Sequence, residues 1–239
     1  WDIAKNFPAE IAIKADVGET LRALTPALAE AGGAALSSRA KANIAALAAK
    51  NWTARRAQLV TEITARGDRT PIDPDWLALQ VVDAMPANAI LVDEALTSSR
   101  YMPALRAHRD RYDYHALASG GIGWGVPASV GVSLANPDRP VVCYSGDGSA
   151  MYSIQALWTA AHSKLPLNVV IVNNGGYRII KQRLLAFHKD DHYVGMDFAD
   201  PAVDFVGLGR SLGLEALRIT DPRELQPTLT DAFARPGTK

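Results

Sequence analysis

A carboxylate and an amide stand at corresponding places after two apolar runs of the sequence. Asp147 comes shortly after the apolar residues 141–144, and Asn174, 27 residues later, comes shortly after the apolar residues 167–172. Carboxylate, amide and carbonyl oxygens suit hard cations such as Mg2+ and Ca2+, whereas zinc sites favour His and Cys. If the fold brings the two side chains together, they predict a site for Mg2+, with Ca2+ as the alternative.

The segments around this pair predict one strand–helix–strand unit. Residues 141–144 and 167–172 have the β-branched, apolar composition of buried strands. Two such strands joined by a helix form a right-handed crossover with parallel neighbours. Both polar motifs then lie at the carboxyl edge of the sheet, where open α/β folds bind ligands. The helix between them is indicated by apolar residues at helical spacing, namely Ile154, Leu157, Trp158 and Ala161.

A phosphorylated ligand would complete the coordination of the cation. The backbone carbonyl of Gly176 can turn inward, because glycine adopts dihedral angles that other residues avoid. Mg2+ usually shares its coordination sphere with waters and phosphate oxygens. A helix beginning near Ser149 would direct free N–H groups and its positive dipole end towards the same point. Gly146-Asp147-Gly148 alone is also a common turn, so the interpretation as a metal and diphosphate site depends on the spacing to Asn174.

These motifs resemble those of the thiamine-diphosphate-dependent superfamily that includes 2-oxo-acid decarboxylases and acetolactate synthases. Gly146-Asp147-Gly148-Ser149 followed by Asn173-Asn174 is similar to its diphosphate motif. Residues 119–128 resemble its Gly-Gly-hydrophobic-Gly segment, and residues 94–99 fall where the family has a loop that reaches the diphosphate. The spacings between these segments are most similar to those of benzoylformate decarboxylases.

The resemblance implies roles for individual residues. Asp147, Asn174 and the Gly176 carbonyl would hold the cation, Ile122 would support the bent cofactor, and the Gly120 carbonyl would accept a hydrogen bond from its amino group. The implied cofactor-binding residues are Thr97, Ser98, Gly120, Gly121, Ile122, Gly146, Asp147, Gly148, Ser149, Asn174, Gly176, Tyr177 and Ile179.

The resemblance also implies a substrate pocket. Ile179 and Ile180 would face the substrate, and two branched aliphatic side chains there favour an apolar or aromatic acyl group. The alternative is that both isoleucines are core residues of the helix that begins at Arg178.

The activity implied is non-oxidative decarboxylation of a small 2-oxo acid with thiamine diphosphate and Mg2+. Two alternatives stay open, an acetolactate-synthase-like carboligase and a non-catalytic fragment or subunit that keeps the fold. Residues 173–177 favour the decarboxylase, because acetolactate synthases carry Asn-Asn-Gln at this place. No part of the chain resembles the family's N-terminal pyrimidine-binding domain, which supplies the catalytic glutamate. We therefore expect no certain catalytic residue here, and active sites between subunits of a homodimer or homotetramer that contains the missing domain.

The predicted fold is α/β, a doubly wound, mostly parallel sheet of the thiamine-diphosphate-binding type, preceded by the end of a second α/β domain. We assign residues 1–33 to that preceding domain, 34–73 to a helical linker and 74–239 to the diphosphate-binding domain, and we expect the chain to be part of a longer protein. Residues 1–6 resemble a strand end of the family's central domain. Further strands are predicted at residues 10–14, 89–92 and 215–219, and helices at 19–30, 40–66, 75–85 and 98–106, from Arg178, near Ala202 and after Asp221.

Composition excludes several classes of partner. Lys and Arg total 25, as do Asp and Glu, so we expect neither a nucleic acid nor a membrane partner. The lone Cys143 cannot form an internal disulfide, which favours a reducing compartment, and we expect a cytoplasmic protein. Trp124 and Trp158 are expected to pack in the interior. A cluster of charged residues is expected to be a solvated loop rather than a second metal site, namely His188, Asp190, Asp191 and His192.

Overall fold

The computed structural model describes residues 6–235 and residue 237. The chain divides into two compact units, residues 1–55 and 56–239. This division differs from the predicted boundaries at residues 33 and 73, which stay predictions. The expectation for residues 1–6 lies almost entirely outside the described part of the chain.

The first unit is helical. Helix α1 (Val17–Leu47) begins at the N-cap Asp16, whose side chain accepts a hydrogen bond from the Glu19 N–H at 2.9 Å. It bends at Gly33, where φ is 50° and ψ is −148°, a conformation open to glycine. Helix α2 (Trp52–Thr64) follows after a 3-10 turn and crosses the division between the units. The strand predicted at residues 10–14 is wrong: these residues are irregular and exposed, because a strand requires a pairing partner that its sequence cannot supply.

A four-stranded parallel sheet forms the centre of the second unit. Its strands are β1 (Ile90–Glu94), β2 (Tyr114–Ala116), β3 (Val141–Gly146) and β4 (Leu167–Val172), in the order β2-β1-β3-β4. Strands β1 and β3 pair with Glu94 opposite Ser145, and β3 pairs with β4 with Gly146 opposite Val172. The carboxyl ends of these three strands therefore lie side by side.

Helices cover both faces of this sheet, which confirms the predicted doubly wound α/β fold. Successive strand residues point to opposite faces. Leu91, Val142 and Tyr144 belong to a core that includes helices α3 (Pro74–Ala84) and α10 (Leu225–Ala234). Val92 and Cys143 belong to a second core with helices α5 (Gly125–Ala135) and α7 (Ala156–His162). The remaining helices of the described chain are α4 (Met102–Leu105), α6 (Asp147–Ala150), α8 (Arg178–His188) and α9 (Phe205–Ser211).

Several sequence predictions are wrong. Residues 215–219 are irregular rather than a strand, because among the described residues no strand pairs with them. The helix predicted at 98–106 is replaced by a 3-10 turn (Leu96–Ser98) and the short α4, and the helix predicted near Ala202 begins at Phe205. The short strand β2 was not predicted. Trp124 packs against the second core as expected, but Trp158 is 54% exposed and stacks on His162.

Two observations concern the single cysteine and the hydropathy of the helices. Cys143 is a buried free thiol, and burial raises its pKa to about 12, so that it stays protonated at neutral pH. In the described residues, no helix combines the length and the hydropathy that crossing a membrane requires.

An ion-pair cluster at the start of α3 gives a test of the fold. Asp75 is buried, and its carboxylate accepts hydrogen bonds from Arg66 at 2.9 Å and Arg100 at 3.0 Å. Burial by itself would raise the pKa of Asp75, but the two guanidinium groups outweigh it and lower the pKa below its ordinary value of 3.8. Asp75→Asn is therefore expected to lower the free energy of unfolding at pH 7 by about 1–2 kcal/mol.

The pH dependence of this stabilisation follows from the lowered pKa of Asp75. The contribution of the ion pairs is present above pH 3.8 and is lost as the pH falls through the lowered value. Urea unfolding at pH 7 and pH 3 should therefore show the difference between wild type and variant shrinking in acid. The exposed Asp68→Asn serves as the control, and a difference that grows in acid would contradict the assignment.

Candidate functional site

Asp147 joins the carboxyl ends of the neighbouring strands β3 and β4. It is the first residue of α6, directly after β3, and it is 1% exposed. Its Oδ2 accepts hydrogen bonds from three consecutive backbone N–H groups after β4, those of Asn174 at 3.0 Å, Gly175 at 2.7 Å and Gly176 at 3.1 Å. The crossover thus brings the acidic motif and the Asn-Asn motif together, as their spacing predicts.

A cavity opens beside this junction. Its wall contains ten of the residues implied by the family resemblance: Thr97, Ile122, Gly146, Asp147, Gly148, Ser149, Asn174, Gly176, Tyr177 and Ile179. It also contains Ala95 and Leu96, which belong to the predicted loop of residues 94–99, and Arg178, which sequence reasoning missed. These segments are distant in the chain, and only the parallel sheet assembles them.

Four expected residues do not line the cavity. Ser98 is buried, and its carbonyl accepts a hydrogen bond from the Tyr144 hydroxyl at 3.3 Å. Gly120 and Gly121 are exposed, and an added Cβ at either would meet nothing within 4 Å. Ile180 is 41% exposed and does not line the cavity, so it is neither a wall residue nor a core residue. Successive side chains on a helix point in different directions, so that Ile180 faces away from the cavity that Ile179 lines.

The helix expected near Ser149 differs in two ways. It is the four-residue α6, which begins at Asp147 itself, and its Gly148 N–H donates to Asp147 Oδ1 at 2.8 Å. A donor expected to face a ligand is therefore satisfied within the protein.

The oxygen atoms at the junction fit a hard cation. Asp147 Oδ2 carries three hydrogen bonds, whereas Oδ1 carries only that of Gly148 and retains a lone pair. The Gly176 carbonyl accepts one hydrogen bond, from the Arg178 N–H at 2.9 Å, and also retains a lone pair. Asn174 is exposed in the wall of the cavity. An added Cβ at Gly146 would meet nothing within 4 Å, so the backbone there is open to a ligand. Carboxylate, amide and carbonyl suit Mg2+ or Ca2+ with phosphate oxygens.

A second buried carboxylate, Glu94, organises the neighbouring loop. It ends β1 and is 1% exposed. Its oxygens accept hydrogen bonds from the N–H groups of Gly123 at 2.8 Å, Trp124 at 3.1 Å and Gly125 at 2.6 Å. Gly123 has φ 98°, which favours glycine. Because Ile122 precedes these residues, Glu94 holds the segment that carries the expected support of the cofactor.

The sequence contains a signal for this role of Glu94, although the motifs alone did not reveal it. The apolar strand β1 ends in two acidic residues, Asp93 and Glu94, and the apolar strand β3 is likewise followed by the acidic Asp147. Glu94 and Asp147 are both buried next to backbone N–H donors. The preceding Asp93 is also buried: it accepts hydrogen bonds from the Ala95 N–H at 3.1 Å and the Tyr114 hydroxyl at 2.9 Å, and burial raises its pKa. Asp93 thereby fixes the start of the Ala95–Thr97 wall, in which Leu96 has the uncommon φ of 48°.

The charged residues 189–192 lie in an exposed loop, as expected, but His188 is the last residue of α8 rather than part of that loop. Asp190, Asp191 and His192 are exposed, with ligand atoms within 4.8 Å of one another. His192 Nδ1 lies 2.7 Å from Asp190 Oδ1. Such exposed groups are usually solvated, and the cluster lies outside the wall of the cavity.

Close packing at Gly176 gives a test of the junction. An added Cβ would lie 2.3 Å from the Met196 carbonyl oxygen, a backbone atom that cannot rotate away. Gly176→Ala is therefore expected to lower the free energy of unfolding by about 1–3 kcal/mol, measured by urea unfolding. Gly131→Ala is the control, because nothing lies within 4 Å of its added Cβ and alanine favours the helix. Equal stability of the two variants would argue against this arrangement of residues 174–176.

The strands of this parallel sheet end in acidic groups and a glycine-rich loop that surround one cavity. This arrangement is typical of open α/β proteins, which bind ligands at the carboxyl edge of the sheet. Residues 96–239 match the family model of the C-terminal TPP binding domain of thiamine pyrophosphate enzymes. Since this match covers more than half of the chain, the chain belongs to the thiamine pyrophosphate enzyme family.

Individual relatives include both kinds of enzyme expected from the sequence. IlvX of Mycobacterium tuberculosis, whose description as an acetolactate synthase large subunit is provisional, is 39% identical over 218 residues, which are 88% of this chain and 41% of the relative. Benzoylformate decarboxylase of Pseudomonas aeruginosa is 36% identical over 69% of this chain and 30% of its own length.

Solved structures agree with the fold. The thiamine diphosphate-dependent 4-hydroxybenzoylformate decarboxylase of Rhodococcus jostii RHA1 matches with a TM-score of 0.66 and 33% identity, covering 71% of this chain and 32% of its own. The chain thus spans well under half the length of these relatives.

Proposed function

We propose that this chain is the diphosphate-binding part of a thiamine-diphosphate- and Mg2+-dependent enzyme that decarboxylates a 2-oxo acid without oxidation. The observation that carries the proposal is the Asp147 carboxylate, which gathers the Asn174–Gly176 backbone and keeps a lone pair on Oδ1. Membership in the thiamine pyrophosphate enzyme family supports the same cofactor.

Each residue would contribute binding rather than bond-making chemistry. Asp147, Asn174 and the Gly176 carbonyl would hold Mg2+, and Mg2+ would hold the diphosphate. The cofactor, when bound, supplies the electron sink for loss of carbon dioxide. Ile122, held in place through the Glu94 contacts with residues 123–125, would support the cofactor, and Ile179 would give the cavity an apolar wall.

The substrate and the assembly are part of the proposal. The P. aeruginosa and R. jostii relatives are decarboxylases of benzoylformate and 4-hydroxybenzoylformate, which supports an aromatic 2-oxo acid here. We further propose a homodimer or homotetramer in which a pyrimidine-binding domain from another part of the protein completes each active site. The similarity to IlvX favours a second candidate, an acetolactate-synthase-like carboligase.

Two measurements test the proposal in order. Calorimetric titration of the chain with thiamine diphosphate should show binding that requires Mg2+ and that EDTA abolishes. Unchanged affinity without a divalent cation, or no binding, would refute the cofactor assignment. The longer protein, joined to its pyrimidine-binding domain, should then release carbon dioxide from benzoylformate faster than from pyruvate. Condensation of two pyruvate molecules as the faster reaction would support the carboligase, and cofactor binding without either reaction would support a non-catalytic subunit.

A further inference from the structure

Arg178 brings a positive charge into the wall of the candidate cofactor cavity. It is the first residue of α8, it follows Tyr177 directly, and it is exposed. Among the described residues that line the cavity, Asp147 and Arg178 are the two that carry a charge. Arg178 was not among the residues expected from the sequence.

The guanidinium group of Arg178 has no bonding partner within the described part of the chain. Lys181, on the same helix, forms an ion pair with Asp197, and its ammonium group lies over the Tyr193 ring. Among the described residues, no side chain forms an ion pair or a hydrogen bond with the Arg178 guanidinium. A cation in the first turn of a helix also opposes the helix dipole, so that this position is unfavourable for helix stability. An anion bound in the cavity would remove both disadvantages.

The charge of a diphosphate supplies such a partner. It carries more negative charge than one divalent cation on Asp147 can neutralise, and the planar guanidinium matches phosphate oxygens in a bidentate arrangement. We propose that Arg178 binds the diphosphate of the cofactor directly and makes the site selective for a diphosphate over a monophosphate. This inference rests on the proposed function.

Calorimetric titration of the 239-residue chain in Mg2+ tests the inference. The titrants are thiamine diphosphate, inorganic pyrophosphate and thiamine monophosphate, and the variants are Arg178→Gln, Arg178→Lys and Arg183→Gln. Arg183 is the matched control because it is an exposed arginine of the same helix that lies outside the cavity wall. Circular dichroism and thermal unfolding check that each variant keeps the fold.

Arg178→Gln is expected to weaken binding of thiamine diphosphate and pyrophosphate about tenfold or more, and that of thiamine monophosphate less. Arg178→Lys should be intermediate because it keeps the charge but loses the planar fork. Arg183→Gln should remain within about twofold of wild type, since an exposed charge off the wall is screened by salt. The loss caused by Arg178→Gln should itself diminish as salt is raised.

The results separate the inference from the function on which it rests. If wild type binds thiamine diphosphate with Mg2+ but Arg178→Gln binds as tightly as Arg183→Gln, the role of Arg178 is refuted and the proposed function stands. An equal loss for diphosphate and monophosphate would also refute the proposed selectivity. If wild type binds neither thiamine diphosphate nor pyrophosphate, the proposed function falls, and this inference with it.

Discussion

Asp147→Ala is expected to abolish Mg2+-dependent retention of thiamine diphosphate and to lower the free energy of unfolding by about 2–4 kcal/mol. The first effect follows because Asp147 is the one anionic side chain in the wall of the cavity among the described residues. The second follows because the N–H groups of residues 174–176 lose their shared acceptor. Calorimetric titration and urea unfolding measure the two effects separately.

Asp147→Asn distinguishes charge from hydrogen bonding at the same position. The amide keeps one oxygen that can accept from residues 174–176, but it has no negative charge for the cation. We expect a smaller loss of stability than for alanine and the same loss of Mg2+-dependent binding. The exposed Asp191→Asn should behave as wild type. Cofactor retention that survives both substitutions at Asp147 would remove the basis of the proposed function.

Glu94→Ala is expected to lower the free energy of unfolding by about 3–5 kcal/mol, the largest loss of stability predicted for this chain. The substitution leaves three consecutive N–H groups, those of residues 123–125, without their acceptor in the interior. It also releases the segment that carries Ile122 into the cavity wall. Urea unfolding gives the first effect, and titration with thiamine diphosphate should show weaker binding.

Glu94→Gln and a surface control separate the loss of the buried acceptors from the loss of a negative charge. Glutamine keeps a single acceptor oxygen and brings an NH2 group against backbone donors, so we expect a loss of about 2–3 kcal/mol. Glu224→Gln removes the same charge from an exposed position and should change stability little. Wild-type stability in Glu94→Ala would mean that the residue 123–125 loop does not depend on this carboxylate.

Glu94 and Asp147 play the same structural role at neighbouring strand ends. Glu94 ends β1 and Asp147 follows β3, and these strands are parallel neighbours with Glu94 opposite Ser145. Each side chain collects three consecutive N–H groups of a glycine-containing loop that comes later in the chain. Buried acceptors that satisfy whole runs of backbone donors restrict the motion of a loop, and a cofactor site requires such preorganisation.

The sequence alone determined the features that depend on local patterns. The apolar runs at residues 141–144 and 167–172, with the helical spacing between them, predicted neighbouring parallel strands, and the right-handed crossover then required Asp147 and Asn174 to share one edge. Family membership also followed from the motifs, because their residue types and spacings lie within a single stretch of chain. Ile122 and Ile179 could be placed in the cavity wall on the same basis.

Only the tertiary structure decided the features that depend on partners remote in the chain. The acidic end of β1 marks Glu94 in the sequence, but its three N–H donors lie about thirty residues away, so that no local pattern identifies them. Residues 10–14 and 215–219 have strand-like sequences but are irregular, because strand formation depends on a pairing neighbour rather than on propensity. Ile179 and Ile180 are adjacent and chemically identical, yet only Ile179 lines the cavity, because the direction of a side chain on α8 is set by how that helix packs.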